Sequence, residues 1–165
     1  MKWHEVFRYR DGKLFWKIKP CQRVRIGDEE GVLNNYGYLL VRYKGKTHVA
    51  HRIIYQMAEG FIPQGYDVDH VNGNRCDNRI DNLRVATRSQ NAWNSCKRKS
   101  NTSGFKGVSW NSVAKKWQAQ IMKFRKKINL GYFTTVEGAY AARLAAEKEI
   151  HGDFAATELR KLAMA

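Results

Sequence analysis

Short runs of alternating apolar and polar residues dominate the first fifty positions. Phe7-Arg-Tyr-Arg and Leu14-Phe-Trp-Lys flank Asp11-Gly12, a dipeptide suited to a tight two-residue turn, so the pattern predicts a hairpin. A second hairpin is expected from Tyr36-Gly-Tyr-Leu-Leu-Val-Arg-Tyr and Thr47-His-Val around Lys44-Gly45-Lys46. The period then lengthens. Ile53, Ile54 and Met57 recur at helical spacing, and Gly60 follows them, which predicts a helix over Ala50 to Glu59. Pro63 to Tyr66 reads as a turn into a short strand, Val68 to His70. Asn72-Gly-Asn and Asp77-Asn mark a tight loop before a second short strand, Leu83 to Ala86. Thr87-Arg-Ser-Gln90 has the form of a capping box, which puts Asn91 in the first turn of the next helix.

Beyond that helix the apolar pattern lapses. Residues 95–104 are polar and basic and read as a linker. Three further strands are expected at Gly107 to Trp110, Trp117 to Lys123 and Lys127 to Leu130. Thr134-Thr-Val-Glu137 repeats the capping-box form and opens a helix rich in alanine, at positions 139, 141, 142, 145 and 146. Small residues let a helix lie close on a sheet, with Trp117 as the large group between them. The expected organisation is thus an α+β chain in two parts. Residues 1–94 form a strand-rich unit ending in strand–loop–strand–helix. Residues 105–156 form a three-stranded antiparallel sheet packed on one helix, followed by a tail over 157–165. A second part of roughly sixty residues is large enough to fold alone.

The net charge of +15 sharpens this picture through its distribution. No Asp or Glu occurs between Asn82 and Thr135, while twelve Lys or Arg lie between Arg84 and Lys127. A carboxylate-free basic block suits a polyanion, because each neutralised phosphate releases condensed counterion. Trp110, Trp117, Phe105, Phe124 and Phe133 are interleaved with that charge, which marks a folded module and not a disordered tail. The three cysteines, Cys21, Cys76 and Cys96, are too few and too scattered for a disulfide framework or a zinc knuckle. No run is apolar enough to span a bilayer. The expectation is a cytoplasmic protein with no membrane partner.

The chemistry concentrates at Asp69-His70, a carboxylate and an imidazole at a strand end. Cleaving a phosphodiester needs a base to take a proton from water and positive charge against the leaving oxygen. Asp69 offers a carboxylate and Asn91 an amide oxygen, the ligand types a hard divalent cation prefers. Because neighbours on a strand point to opposite faces, Asp69 and His70 share one site only if the chain turns there, as Asn72-Gly73-Asn74 suggests. Over residues 50–94 this arrangement resembles the HNH nuclease motif, in the form found in phage and intron-encoded homing endonucleases. The resemblance implies a ββα-metal fold with His70 as general base and Asn82 as the residue that orders the loop. It implies one Mg²⁺ or Mn²⁺ ion on Asp69 and Asn91, and products with 5′ phosphate and 3′ hydroxyl ends. His51-Arg52, just before the motif, reads as the polar start of a helix packed on this core, with a phosphate contact near the site as the alternative. Cys76, alone in the loop, makes no zinc site.

Residues 102–155 resemble the Apetala-two (ethylene-response-factor) DNA-binding domain. The matching pieces are Phe105-Lys-Gly-Val108, Lys116-Trp-Gln-Ala-Gln-Ile121, Leu130-Gly-Tyr-Phe133, Glu137 with its helix, and His151-Gly-Asp-Phe-Ala155. The resemblance implies a sheet that enters the major groove with the helix behind it. Lys106 and Lys127 match DNA-contacting arginines of that family, while Ser109, Gln120, Met122 and Asn129 depart from its plant members. Lys116, Lys123 and Arg125 are expected on phosphates and Trp110 on DNA. The combined expectation is a metal-dependent DNA endonuclease of phage homing type, acting on double-stranded DNA within a bacterial host cell. The rival expectations are a DNA-binding regulator with a silent nuclease fold, and an RNA-binding module.

Overall fold

The structure is a computed structural model, described over residues 2–94, 100–123 and 126–155. It has a mixed α+β fold built of small antiparallel sheets and helices, and divides into two compact units, residues 1–88 and 89–165. Among the described residues no helix is long and apolar enough to cross a membrane.

The first unit runs α1 (Trp3–Val6), β1 (Phe7–Arg10), β2 (Lys13–Trp16), β3 (Glu29–Glu30), β4 (Val32–Leu33), β5 (Leu39–Tyr43), β6 (Lys46–Val49), α2 (Ala50–Glu59), β7 (Tyr66–His70) and β8 (Leu83–Thr87). Its sheets have the orders β1-β2-β3, β4-β5-β6 and β7-β8. Both hairpin turns adopt the left-handed backbone their sequences suggest, with φ of 47° and 81° at Asp11 and Gly12 and of 49° and 72° at Lys44 and Gly45. The second hairpin starts three residues later than its apolar pattern, at Leu39. The reason is local: the Asn34 side chain accepts from the Tyr36 and Tyr38 amides and bends that stretch into a turn.

The core joins the first hairpin to α2. Phe7, Leu14, Trp16, Val41, Ile53 and Ile54 are all buried, and the rings of Phe7 and Trp16 lie 4.5 Å apart. Burying side chains of this size contributes about 1.5–3 kcal/mol each. The same hairpin supports the loop between β7 and β8. The Tyr9 hydroxyl accepts from the Ile80 amide at 3.2 Å, and Gly12 lies against the backbone of Asn78 and Arg79.

The second unit contains β9 (Val108–Asn111), β10 (Lys116–Lys123), β11 (Lys126–Phe133) and α4 (Val136–His151), with sheet order β11-β10-β9. The short helix α3 (Arg88–Trp93) begins at the division between the units. One sheet face packs on α4 around Val108, Ala119 and Ala139, with Phe105, Trp117, Leu130 and Phe133 against them. Ala119 and Ala139 are wholly buried, as expected of a close helix–sheet approach. The α4 cap falls one residue later than the capping-box pattern suggests. Thr135, not Thr134, is the N-cap, and its hydroxyl accepts from the Gly138 amide at 3.1 Å. A register shift in β11 pairs Ala119 with Gly131 and Gln120 with Asn129, leaving Leu130 as the extra residue. Farther along α4, the buried side chains of Arg143, Glu147 and His151 follow one another at four-residue spacing. Much of the expected linker, Arg125 and the tail over 157–165 lie outside the described residues.

The hairpin's support of the loop is open to test. A Cβ added at Gly12 would stand 3.0 Å from the Arg79 nitrogen and 3.2 Å from the Asn78 carbonyl carbon, at a φ of +81°. Gly12→Ala should therefore destabilise the protein by about 1–3 kcal/mol, through left-handed strain plus displacement of the loop. Denaturant unfolding measures it, and an unchanged midpoint would show that the tip does not press on the loop.

Candidate active site

Strand β7 ends with three consecutive buried residues, Val68, Asp69 and His70, where simple alternation would expose the middle one. Asp69 is shielded by its neighbour in the ladder. The register sets it opposite Arg84, whose Nη2 and Nε donate to Asp69 Oδ2 at 3.2 and 3.4 Å. A carboxylate only 8% exposed needs such company, because an isolated buried charge is costly.

His70 is 4% exposed and donates from Nε2 to Asn78 Oδ1 at 2.9 Å. With the proton on Nε2, Nδ1 is the basic nitrogen. The His51 ring meets His70 edge-on at 4.8 Å, and Tyr38 lies 5.4 Å from His51 and 6.2 Å from His70. Burial, then the neighbouring His70 and Arg52, push the His51 imidazole down to about 3. Burial also lowers His70 below the ordinary histidine value, against the opposing pull of Asn78, Asp69 and Asp77. Both rings are therefore neutral near pH 7, the state a general base requires.

The loop between β7 and β8 is knitted by side-chain amides. Asn82 Oδ1 accepts from the Asn72 amide at 2.9 Å, while Asn82 Nδ2 donates to Asn72 Oδ1 at 3.0 Å and to the Asp77 carbonyl at 2.7 Å. Asn72 Nδ2 in turn donates to Asp77 Oδ2, and Arg79 grips both Asp77 oxygens at 2.8 Å. That Arg79 fork, with help from Asn72 and against burial, holds the Asp77 carboxyl down at about 2. The outer side of the loop docks on the Asn34–Tyr38 turn. Arg75 donates to the Tyr36 carbonyl at 2.7 Å and stacks over the Tyr38 ring at 4.8 Å, and Cys76 Sγ donates to the Gly37 carbonyl.

The structure brings Asp69, His70 and Asn82 together in the first unit. Asn91 stands half-buried on α3, in the second unit. Among the described residues no cluster of three His, Cys, Asp or Glu side chains could hold a metal by itself. The residues expected on DNA lie in the second unit. Lys116, Lys123 and Lys127 are exposed on the sheet. Lys106 donates to the Trp93 carbonyl at 2.6 Å, and Trp93 stacks flat on His151. Trp110 is 52% exposed and meets Trp117 edge-on, the two being paired across β9 and β10. Sequence reasoning missed Asn78 and Arg84. Asn78 reads there only as a turn residue. Arg84 could have been found by pairing two five-residue strands across the loop. For His51-Arg52 the sequence favours the polar start of a helix over a phosphate contact near the site.

Acid should loosen the first unit. His51 binds a proton near 6.5 when unfolded but only near 3 when folded. The unfolded state thus holds more protons between those values, so stability is full above 6.5 and falls as pH drops below it. For one group the slope is at most about 1.4 kcal/mol per pH unit. Urea unfolding from about pH 7.5 to about pH 5 should show the fall, and His51→Phe should flatten it. Parallel wild-type and variant curves would rule out His51 as the cause.

Residues 48–93 match the family model described as HNH endonuclease. Protein 3.8 of Escherichia phage T7 is 37% identical over 108 residues, which cover 64% of this chain and 86% of that protein. A protein named Uncharacterized HNH endonuclease L560, of Acanthamoeba polyphaga mimivirus, is 33% identical over 125 residues, covering 75% of this chain and 64% of the relative. No solved structure matches the chain significantly. A family match that spans Asp69, His70, Asn82 and Asn91, with identity running through most of a phage protein, puts this chain in the HNH endonuclease family.

Proposed function

We propose that the chain is a metal-dependent endonuclease that hydrolyses phosphodiester bonds in double-stranded DNA. Family membership supports nuclease activity and a DNA substrate. The observation that carries the mechanism is the buried, neutral His70 ring with its Nε2 tied to Asn78. Nδ1 then takes the proton from the attacking water. Asn82 keeps the loop folded so that Asn78 holds the ring at its angle.

HNH nucleases generally depend on a divalent metal. The motif resemblance implies Asp69 and Asn91 as its ligands; a carboxylate and an amide oxygen are donor types that would suit Mg²⁺ or Mn²⁺. Once bound, the cation supplies positive charge against the leaving 3′ oxygen. In this reading the second unit gives affinity and site preference, as the Apetala-two resemblance implies. Lys116, Lys123, Lys127 and Arg125 serve as phosphate contacts, with Lys106 and Trp110 at its margin. The phage relative supports a phage setting; a bacterial host cytoplasm and a homing role are part of this proposal.

One observation favours a second reading. Arg84 already occupies Asp69 Oδ2, as a built-in cation would in a silent site. The chain would then bind DNA as a regulator without cutting it. Plasmid cleavage with and without chelator separates the two. On the endonuclease reading, chelation silences cutting and added Mg²⁺ or Mn²⁺ restores it. No cleavage with any divalent metal would favour the regulator.

His70→Ala should lower turnover by about a hundredfold to ten-thousandfold while duplex affinity stays nearly constant, since the base acts on water and not on bound DNA. Equal cleavage by variant and wild type would remove His70 from the mechanism. Asn78→Ala should lower kcat more than it changes KM, and nitrogen-15 spectra of His70 should show the Nε2–H tautomer lost. A wild-type tautomer in that variant would show that Asn78 does not set it.

A further inference from the structure

The sheet face turned away from α4 is an ordered array of amide groups. Strand pairing sets Ser109, Gln118 and Tyr132 in one row, Gln120 beside Asn129 in the next, and Met122 beside Lys127 in a third. Their alternate neighbours, Val108, Ala119 and Ile121, are buried toward α4. Ser109, Met122, Lys127, Asn129 and Tyr132 are exposed, while Gln118 and Gln120 are half-buried. The extra residue Leu130 is what keeps this face in phase. Without it, the strand could not turn both Asn129 and Tyr132 outward while Leu130 and Phe133 pack inward.

Two of the amides are held before any ligand arrives. Gln118 Nε2 donates to the Tyr132 hydroxyl at 3.3 Å, and Asn129 Oδ1 accepts from the Gly131 amide at 3.2 Å. Restricting these side chains lowers the entropy lost on binding. The rows contain no carboxylate and no arginine; exposed Lys127 lies in the third row, and exposed Lys116 shares this face by alternation along β10. That is a surface for a polyanion whose central contacts are neutral.

The chemistry of an amide narrows the target. A carboxamide carries a donor and an acceptor side by side, which matches the N7 acceptor and N6 donor of adenine in the major groove. Guanine presents two acceptors there and suits arginine or lysine instead. Met122 offers an apolar tip for the thymine methyl. The spacing also agrees. Same-face residues two apart on a strand lie about 6.4–6.8 Å apart, close to two base-pair rises of about 3.4 Å.

We propose that Gln118, Gln120 and Asn129 are the base-reading residues of this chain and that they select A·T pairs in the major groove of duplex DNA. The inference rests on the reading of duplex DNA as substrate. The lysines set register on the phosphates, and the amides decide which sites are held.

The test is selection from a random duplex pool by the full-length chain in the presence of chelator, so that bound DNA is not cut. The wild type should enrich sites with A·T pairs at fixed positions. Gln118→Ala, Gln120→Ala and Asn129→Ala should each relax one position, by about fivefold to a hundredfold in discrimination, with little change in retention of the unselected pool. Gln120→Glu carries the sharper expectation. Replacing the amide donor with a second acceptor should move the preference at its position from adenine to cytosine, whose N4 donates. Circular dichroism of each variant controls for folding. Enrichment of G·C pairs by the wild type, or alanine variants that select the wild-type sites, would overturn the amide assignment while leaving duplex binding intact. Failure of the full-length chain to retain any duplex would overturn the duplex reading itself, and the amide assignment with it.

Discussion

The side chain of Asn82 closes the loop on which the candidate site depends. Both its amide hydrogens and its oxygen are engaged with Asn72 and Asp77, at 2.7–3.0 Å and with only 7% exposure. No other residue type of similar size donates twice and accepts once in one plane. Removing it would leave the half-buried Asn72 amide and Asp77 carbonyl without these partners, at about 1–3 kcal/mol for each group that water does not reach. The consequence reaches beyond the loop. Asn78 follows Asp77 directly, and Asn78 is what the His70 ring leans on. A buried amide ten residues from Asn72 thus governs the angle of an imidazole it does not touch.

The N-terminal hairpins belong to the same device. Tyr9 and Gly12 meet the loop from the first hairpin, and Tyr36, Gly37 and Tyr38 meet it from the turn before the second. A polar loop of a dozen residues between two short strands would otherwise be the softest part of the unit. Here it is clamped from two directions. Helix α2 closes the arrangement by setting His51 edge-on to His70. The strand-rich extension is therefore the floor of the site.

What could be read from the sequence was what depends on near neighbours along the chain. Asp11-Gly12 and Lys44-Gly45 specify their own turns, and α2 runs from Ala50 to Glu59 because an apolar stripe and a terminal glycine bound it. Asp69 and His70 stood out because a strand, a turn signal and a second strand frame them. What stayed hidden depends on contacts between distant segments. Asn78 reads as a turn residue until the loop folds back on β7. Arg84 becomes the partner of Asp69 only through the β7–β8 register. The α4 cap falls on Thr135 and not Thr134, two adjacent threonines with the same capping chemistry. The shift at Leu130 has no signature in hydrophobic alternation, since it exists to repair that alternation against the neighbouring strand.

Arg84 gives the site its particular tension. A guanidinium on Asp69 Oδ2 lowers the cost of keeping a carboxylate at the end of a buried strand, and it does so from the adjacent strand, where little motion is needed to hold it. On the endonuclease reading, Asp69 would offer a divalent ion a carboxylate that Arg84 already orients, but the guanidinium would repel that ion and keep its affinity modest. A DNA phosphate would attract both cations, so that reading implies that metal and DNA bind more readily together than either alone. A silent site would need no such reciprocity, since Arg84 by itself satisfies Asp69. Whether metal affinity rises when duplex is present is therefore the physical difference between the two readings of this arginine.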